Sequence, residues 1–261
     1  MRTALIATLL CVATTHASAE HWYRGPEGNH RVFHVSLTVA LGAGFLISEG
    51  LIKNTLASDH CRWCDPTGVD VSVRDALVWD KVGTARTLSD LTGYLGAPGL
   101  GIGVTVLTVL GRDDASWARL IDDTFPVLET IAISQAVTQA VKFSVARERP
   151  FVHYGSPAPT ADDNLSFWSG HSALAFGAVT SAGFVAHRRH SKLEPLIWGV
   201  GLPLAATTAY LRIAGDKHYF TDVVVGSVVG VISGLTIPRL MLCPNVVVVP
   251  APNGVSLAGA F

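Results

Sequence analysis

Three short clusters of polar residues in the C-terminal half of the chain combine residue types and spacings that could do chemistry. They are Lys142 with Arg149-Pro150, Ser169-Gly170-His171, and Arg212 with His218 and Asp222. The planar fork of arginine suits the oxygens of a tetrahedral oxyanion, and lysine adds a point charge. One histidine can attack phosphorus while the other protonates the leaving oxygen. The clusters therefore indicate hydrolysis of a phosphate ester.

The same clusters do not favour a metal centre. They hold one carboxylate and no cysteine, whereas protein metal sites combine several such ligands. We therefore expect no metal and no cofactor. The net charge of −1 gives no indication of a nucleic-acid partner.

In these clusters the chain resembles the type 2 phosphatidic acid phosphatase and vanadium haloperoxidase superfamily. The first family motif, Lys, six residues and Arg-Pro, is matched by residues 142–150. The second, Pro-Ser-Gly-His, is matched by 168–171, and the third, Ser-Arg, five residues, His, three residues and Asp, by 211–222. Trp168 and Leu211 depart from the pattern, but every position expected to touch phosphate is kept.

The resemblance implies a role for each matched residue. Three cations would neutralise the phosphate, and the second motif would hold its oxygens through the Ser169 side chain and the Gly170 amide. His171 would be the general acid. The phosphate-binding set is then Lys142, Arg149, Ser169, Gly170 and Arg212.

Local geometry gives the first two clusters both a functional and an ordinary interpretation. Lys142 and Arg149 are seven residues apart, within about 20° of one face of a helix that Pro150 would end. A basic last turn that balances the helix dipole is the ordinary alternative. Ser169 can cap the apolar helix that follows, where free N–H groups attract an anion. A plain serine cap beside a surface histidine has the same pattern.

The third cluster predicts the nucleophile. His218 and Asp222 are four residues apart, one helical turn, so Asp222 can accept the imidazole N–H and fix the tautomer. The other ring nitrogen of His218 is then free to attack. The ordinary alternative is a helix-surface contact, but an ionisable pair that opens a membrane-like apolar run favours function.

The composition predicts the fold class. Hydrophobic residues make up 49% of the chain and charged residues 15%, an unusual balance for a soluble domain. Six apolar segments lie near the ~17–25 residues that span a bilayer, at about 33–52, 91–111, 125–142, 171–187, 194–212 and 221–242. We predict an all-α, six-helix membrane-type bundle with the three motifs at one end. A short C-terminal β-hairpin around Asn253-Gly254 is predicted after it.

The chain divides into four parts on this interpretation. Residues 1–19 resemble an export signal with an A-x-A cleavage site, and 20–90 hold the first apolar helix and a cysteine-containing loop. The phosphatase-type core covers 91–242, and 243–261 form a tail. Within the loop, Cys61 and Cys64 are candidates for a disulfide in an oxidising compartment. A redox motif is the less favoured alternative for this pair.

The predicted location is the envelope of a bacterial-type cell. The basic link at 186–192 should be cytoplasmic, which puts the motif end in the periplasm. A cleaved signal conflicts with this orientation, because it leaves residue 20 outside whereas the first helix must start inside. An inner-membrane bundle is the leading prediction, and a membrane-associated periplasmic domain is the alternative.

The leading functional prediction is a metal-independent phosphatase that hydrolyses a lipid-linked phosphomonoester or diphosphate through a phosphohistidine. The alternative is a soluble-type periplasmic acid phosphatase that acts on small esters. A vanadium haloperoxidase is disfavoured because the chain is short. A non-catalytic lipid-binding protein is disfavoured because it need not keep the catalytic residue types.

Overall fold

The structure, a computed structural model, describes residues 28–155, 158–242, 247–251 and 254–258. The predicted signal segment at 1–19 lies outside the described residues, as does Cys243.

Helices form most of the described chain. They are α1 Gly28–Gly50, α2 Lys53–Leu56, α3 Gly68–Leu77, α4 Val82–Leu110, α5 Trp117–Val145, α6 Pro150–His153, α7 Gly170–Arg188, α8 Glu194–Ala214 and α9 Phe220–Leu242. A wide π-helical stretch interrupts α4 at Leu91–Gly96 and α8 at Ile197–Gly201. Each of the six predicted apolar segments falls on one of the long helices, so the predicted all-α bundle is confirmed.

Four of the long helices have the length and hydropathy to cross a membrane, namely α1, α4, α8 and α9. Helix α7 differs because it is the centre of the bundle, packed against α4, α5, α8 and α9. Nearly all of its residues from Gly170 to Ala186 are buried by these neighbours. Helix α7 therefore meets protein rather than lipid, and small polar residues are tolerated along it.

Glycines in α9 bring that helix against α7. A Cβ at Gly230 would lie 2.6 Å from the Ala173 carbonyl oxygen, and one at Gly226 would lie 2.5 Å from the Ser169 carbonyl oxygen. Only glycine permits so close a helix crossing. The crossing also joins two motifs, because the Ser169 amide donates to the Asp222 carbonyl oxygen at 3.0 Å.

Helix α1 lies along α5 in the same direction. Nδ1 of His34 is 2.8 Å from a carboxylate oxygen of Glu129, and further along Gln139 donates to Glu49 at 2.9 Å. Because α5 ends at the first motif, α1 also ends there. The start of α1 is thus at the end of the bundle that carries the basic link 186–192.

The C-terminal hairpin predicted from the sequence is present. Strand β1, Val247–Ala251, pairs in antiparallel register with β2, Gly254–Ala258. Asn253 of the predicted turn lies outside the described residues.

Candidate active site

The three motifs meet at one end of the bundle, as the sequence predicts. Lys142 lies in the last turn of α5, Ser169 precedes α7, and Arg212 lies in the last turn of α8. His218 lies in the loop between α8 and α9. The ends of α5, α7 and α8 and the loop before α9 therefore assemble one cluster of cations and imidazoles.

The prediction that Lys142 and Arg149 share one helix face is wrong. Helix α5 ends at Val145, and Ala146 follows in the left-handed conformation with φ 48°. The chain therefore turns before it reaches Arg149, which caps the short helix α6 and is buried rather than exposed. Tertiary contacts, not helical spacing, bring these two cations to the site.

Backbone carbonyls hold the Arg149 guanidinium. Its Nε donates to the carbonyl oxygen of Asp162 at 2.7 Å, and its Nη1 donates to that of Lys217 at 3.0 Å. The same Nη1 lies 3.4 Å from Nε2 of His218. Arg149 of the first motif is thus held beside the imidazole of His218 in the third motif.

Ser169 caps α7, as predicted, and its side chain accepts from the Ser172 amide. A Cβ at Gly170 would lie 3.6 Å from Nζ of Lys142 and 3.3 Å from Oε1 of Gln135. Gly170 therefore leaves room at a helix N-terminus directly beside a lysine. The backbone amides at the start of α7, the positive end of its dipole and the Lys142 ammonium group together form a candidate anion-binding site.

His171 is bonded to a carboxylate that the sequence analysis missed. Its Nε2 lies 2.9 Å from Oδ1 of Asp90, and its ring packs on Tyr94 with centroids 4.3 Å apart. The same oxygen of Asp90 accepts from Nη1 of Arg212 at 3.1 Å. Asp90 thereby links the predicted acid to a predicted phosphate-binding arginine. The sequence did contain a signal for this role, because Asp90 is an ionisable residue directly before the apolar segment that begins at 91.

The predicted His218–Asp222 geometry is only partly met. Helix α9 begins at Phe220, so His218 precedes it and the two do not lie one turn apart on a helix. Nδ1 of His218 is 3.7 Å from Oδ2 of Asp222, too far for a hydrogen bond. The carboxylate still lies next to Nδ1, so Nε2 is the ring nitrogen that faces Arg149.

Asp222 is held by groups other than His218. Its Oδ1 accepts from Nη1 of Arg147 at 2.5 Å, and its Oδ2 accepts from the Ser166 hydroxyl at 2.5 Å and the Tyr219 amide at 3.0 Å. These three donors hold both oxygens of the carboxylate. Its position behind His218 is therefore fixed without the histidine.

Arg147 is the second residue that the sequence analysis missed. Only 1% of it is exposed, and its Nη2 donates to Asp70 at 2.7 Å while Nη1 holds Asp222. The guanidinium lies between the rings of Trp63 and Tyr219, at 3.9 and 4.4 Å from their centroids. An arginine two residues after a helix end is ordinarily solvated, so spacing alone gave no signal of this burial.

The cysteine-containing loop lies against this arginine. Cys61 and Cys64 form a disulfide, and between them Arg62 donates through its backbone amide to the Ala146 carbonyl oxygen at 2.9 Å. The Trp63 carbonyl oxygen accepts from the Glu148 amide at 3.0 Å. The predicted disulfide loop is therefore part of the motif end of the bundle.

Burial and the neighbouring cations favour the neutral form of the His218 ring. Burial, reinforced by Arg149 and Arg212, holds the pKa of His218 well below its ordinary value. Only 2% of the residue is exposed. A neutral imidazole with a nitrogen facing fixed cations can act as a nucleophile on a bound oxyanion.

Residues 123–242 match the family model described as PAP2 superfamily. The chain is also similar to phospholipid phosphatase 2 from Rattus norvegicus, with 27% identity over 43% of this chain and 49% of the relative. The human protein of that name is 28% identical over 43% of this chain and 47% of its own length. The chain thus spans about half the length of these curated relatives.

A solved structure was also matched, that of a transmembrane PAP2-type phosphatidylglycerolphosphate phosphatase from Bacillus subtilis. The TM-score is 0.49 at 16% identity, over 79% of this chain and 93% of that one.

Proposed function

We propose that the chain, whose residues 123–242 match the PAP2 superfamily model, hydrolyses a lipid phosphate without a metal, through a phosphohistidine. The observation that carries the proposal is the contact between the buried, neutral His218 and the Arg149 guanidinium, 3.4 Å from Nε2. A phosphate bound by Arg149 is thereby brought to the nitrogen that would attack it.

In the first half-reaction the cations bind the phosphoryl oxygens. Lys142, Arg149 and Arg212 neutralise their charge, and Ser169 and the Gly170 amide complete the cradle. Fixed cations give the transition state the electrostatic stabilisation that Mg²⁺ gives in other phosphotransferases. Nε2 of His218 attacks phosphorus as the bond to the leaving oxygen breaks.

His171 acts on the leaving group. It gives a proton to the departing alcohol and then takes one from the water that cleaves the phosphohistidine. Asp90 is a positioning residue for this step, because it fixes Nε2 of His171 and Nη1 of Arg212 through one oxygen. Asp222 stabilises the cationic ring of phosphorylated His218 from the Nδ1 side.

A lipid is the proposed substrate because the motif residues lie at one end of a bundle with apolar outer faces. Large side chains such as Leu46, Leu107 and Ile232 are exposed on the candidate spanning helices. Such faces fit a bilayer and oppose the alternative, a soluble-type acid phosphatase acting on small esters. A phosphate ester held at the membrane surface would reach the motif end directly.

The proposed orientation places the motif end in the periplasm and the basic link 186–192 in the cytoplasm. Helix α1 starts at the end of the bundle that carries this link and is held to α5 by the contact of His34 with Glu129. That orientation therefore requires α1 to start inside the cell, which conflicts with a cleaved signal at 1–19. A Lys192→Cys variant should react with an impermeant maleimide only after the membrane is permeabilised. Labelling in intact cells would reverse the proposed orientation.

The enzymatic test uses detergent-solubilised protein with phosphatidate and, separately, p-nitrophenyl phosphate, each in excess EDTA. We expect phosphate release from phosphatidate to persist, with a kcat/KM above that for the small ester. Loss of activity in EDTA that Mg²⁺ or Zn²⁺ restores would overturn the metal-independent mechanism. A preference for the small ester would favour the soluble-type alternative.

A further inference from the structure

A second group of charges lies beside the phosphate-binding cations. Asp162, in the loop between α6 and α7, forms a salt bridge with Lys53, and its Oδ2 is 3.8 Å from Nζ of Lys217. The same oxygen is 3.6 Å from Nη2 of Arg149. One carboxylate therefore contacts three cations, and only Arg149 belongs to the three motifs.

The two lysines have further charged neighbours besides Asp162, of both signs. Lys53 also contacts Glu49, with Nζ and Oε1 2.5 Å apart. Burial, with the charge of Arg149 beside it, lowers the pKa of Lys217 to about 8. The charge of Arg149 likewise holds the pKa of Asp162 well below its usual range. The two lysines and Asp162 are all partly exposed, so a ligand can reach the group from solvent.

Asp162 occupies the position that an anionic ligand would take. Its carboxylate neutralises Arg149, which the proposed mechanism needs for the substrate phosphate. It also contacts Lys53 and Lys217, which are not among the three cations proposed to bind a single phosphate. Lysine binds phosphate as a point charge and does not require a fixed orientation of its partner. An incoming phosphate oxygen can therefore replace the carboxylate oxygen while the lysine side chain stays where it is.

We propose that Lys53 and Lys217 form a second anion subsite, closed by Asp162 in the free protein, and that the preferred substrate is a lipid diphosphate. This inference rests on the proposed function. The terminal phosphate lies on Lys142, Arg149 and Arg212, and the adjoining phosphate displaces Asp162 from the two lysines.

The reaction is balanced with water as the only co-reactant. The bond between the terminal phosphorus and the bridging oxygen breaks as His218 attacks, and the bridging oxygen leaves on the lipid monophosphate with a proton from His171. Water then cleaves the phosphohistidine, which gives inorganic phosphate and returns the proton to His171. Binding of the adjoining phosphate contributes energy that a monophosphate cannot supply.

The test compares two substrates with one tail, farnesyl diphosphate and farnesyl monophosphate, in the same detergent micelles. Initial phosphate release gives kcat and KM for each. In Lys53→Gln and Lys217→Gln we expect the ratio of kcat/KM, diphosphate over monophosphate, to fall about tenfold or more, mainly through KM for the diphosphate. Lys217→Arg keeps the charge and should restore most of the ratio. Lys192→Gln, at the other end of the bundle, is the matched control.

Asp162→Asn gives an opposite expectation. It keeps the backbone carbonyl that holds Arg149 but removes the competing charge, so KM for the diphosphate should fall. An unchanged ratio in both lysine variants, or equal losses on the two substrates, would overturn the subsite while monophosphate hydrolysis still supported the proposed function. Hydrolysis of neither substrate by the unmodified chain would overturn the proposed function itself.

Discussion

The surroundings of the two histidines differ, although both lie against the same group of cations. Behind His218 stands a buried ionic network in which Arg147 joins the carboxylates of Asp70 and Asp222. His171 instead bonds to Asp90, whose side chain is 54% exposed. A fully buried network keeps one geometry, whereas a group at the surface can change partner when substrate arrives. The structure thus places the proposed nucleophile in fixed surroundings and the proposed acid beside a group that can change partner.

The largest expected effect comes from the fixed side of the comparison. His218→Ala should abolish phosphoenzyme formation and lower kcat by at least about 10⁴-fold, because the nucleophile is gone. Acid quench with labelled substrate measures the trapped phosphohistidine. His187→Ala, on the exposed end of α7, is the control. Labelled phosphohistidine in the His218 variant would transfer the nucleophilic role to His171.

On the adjustable side, His171→Ala should slow turnover by about 10²–10⁴-fold, because proton transfer to the leaving oxygen is lost. The loss should be smallest for p-nitrophenyl phosphate, whose leaving group needs no proton. Asp90→Asn should cost less than His171→Ala and show the same dependence on leaving group. An equal loss on good and poor leaving groups would contradict the assignment of His171 as the acid.

Breaking the network behind the nucleophile should cost stability as well as rate. Arg147→Met leaves two buried carboxylates without their cation, which should lower the free energy of unfolding by about 3–5 kcal/mol. Arg62→Met, at an exposed arginine in the neighbouring loop, should change the free energy of unfolding by about 1 kcal/mol or less.

Arg147→Lys tests the effect on rate in a folded protein, since it keeps a charge but loses one of the two carboxylate contacts. A kcat that is unaffected in this variant would limit Arg147 to stability.

The disulfide should have a smaller effect. Closing so short a loop contributes about 2 kcal/mol in the chain-entropy model, so Cys61→Ser with Cys64→Ser should lower stability by that amount and leave activity within about tenfold. In unreduced, freshly lysed cells neither thiol should be alkylated. Alkylation of both would contradict an oxidising location for the motif end.

The smallest effect concerns pH. Because the pKa of His218 is lowered, the ring stays neutral as pH falls through 6.5 and is protonated only well below it. The acid limb of kcat/KM, which reports the free enzyme, should therefore lie well below pH 6.5. An acid limb centred at or above 6.5 would show that bulk water reaches His218 more than its burial implies.

Much of the fold could be predicted because membrane-type helices are long and local. The six apolar segments each became a long helix, and the serine cap at Ser169 formed where free amides needed an acceptor. Helix ends were less predictable. Ala146 ended α5 three residues before Arg149, because the chain there pairs with the Trp63 loop, which is about 80 residues away in sequence.

The sequence by itself determined which residue types form the site, because their spacing within the three motifs does not depend on how the helices pack. The tertiary structure alone decided which charges meet. Asp90, Arg147 and Asp162 lie outside the matched positions, and each reaches its partners across 70 or more residues or through a loop without regular structure. Pairing of this kind depends on how the helices cross, and the α7–α9 crossing is set by glycines whose effect is seen only when both helices are in place.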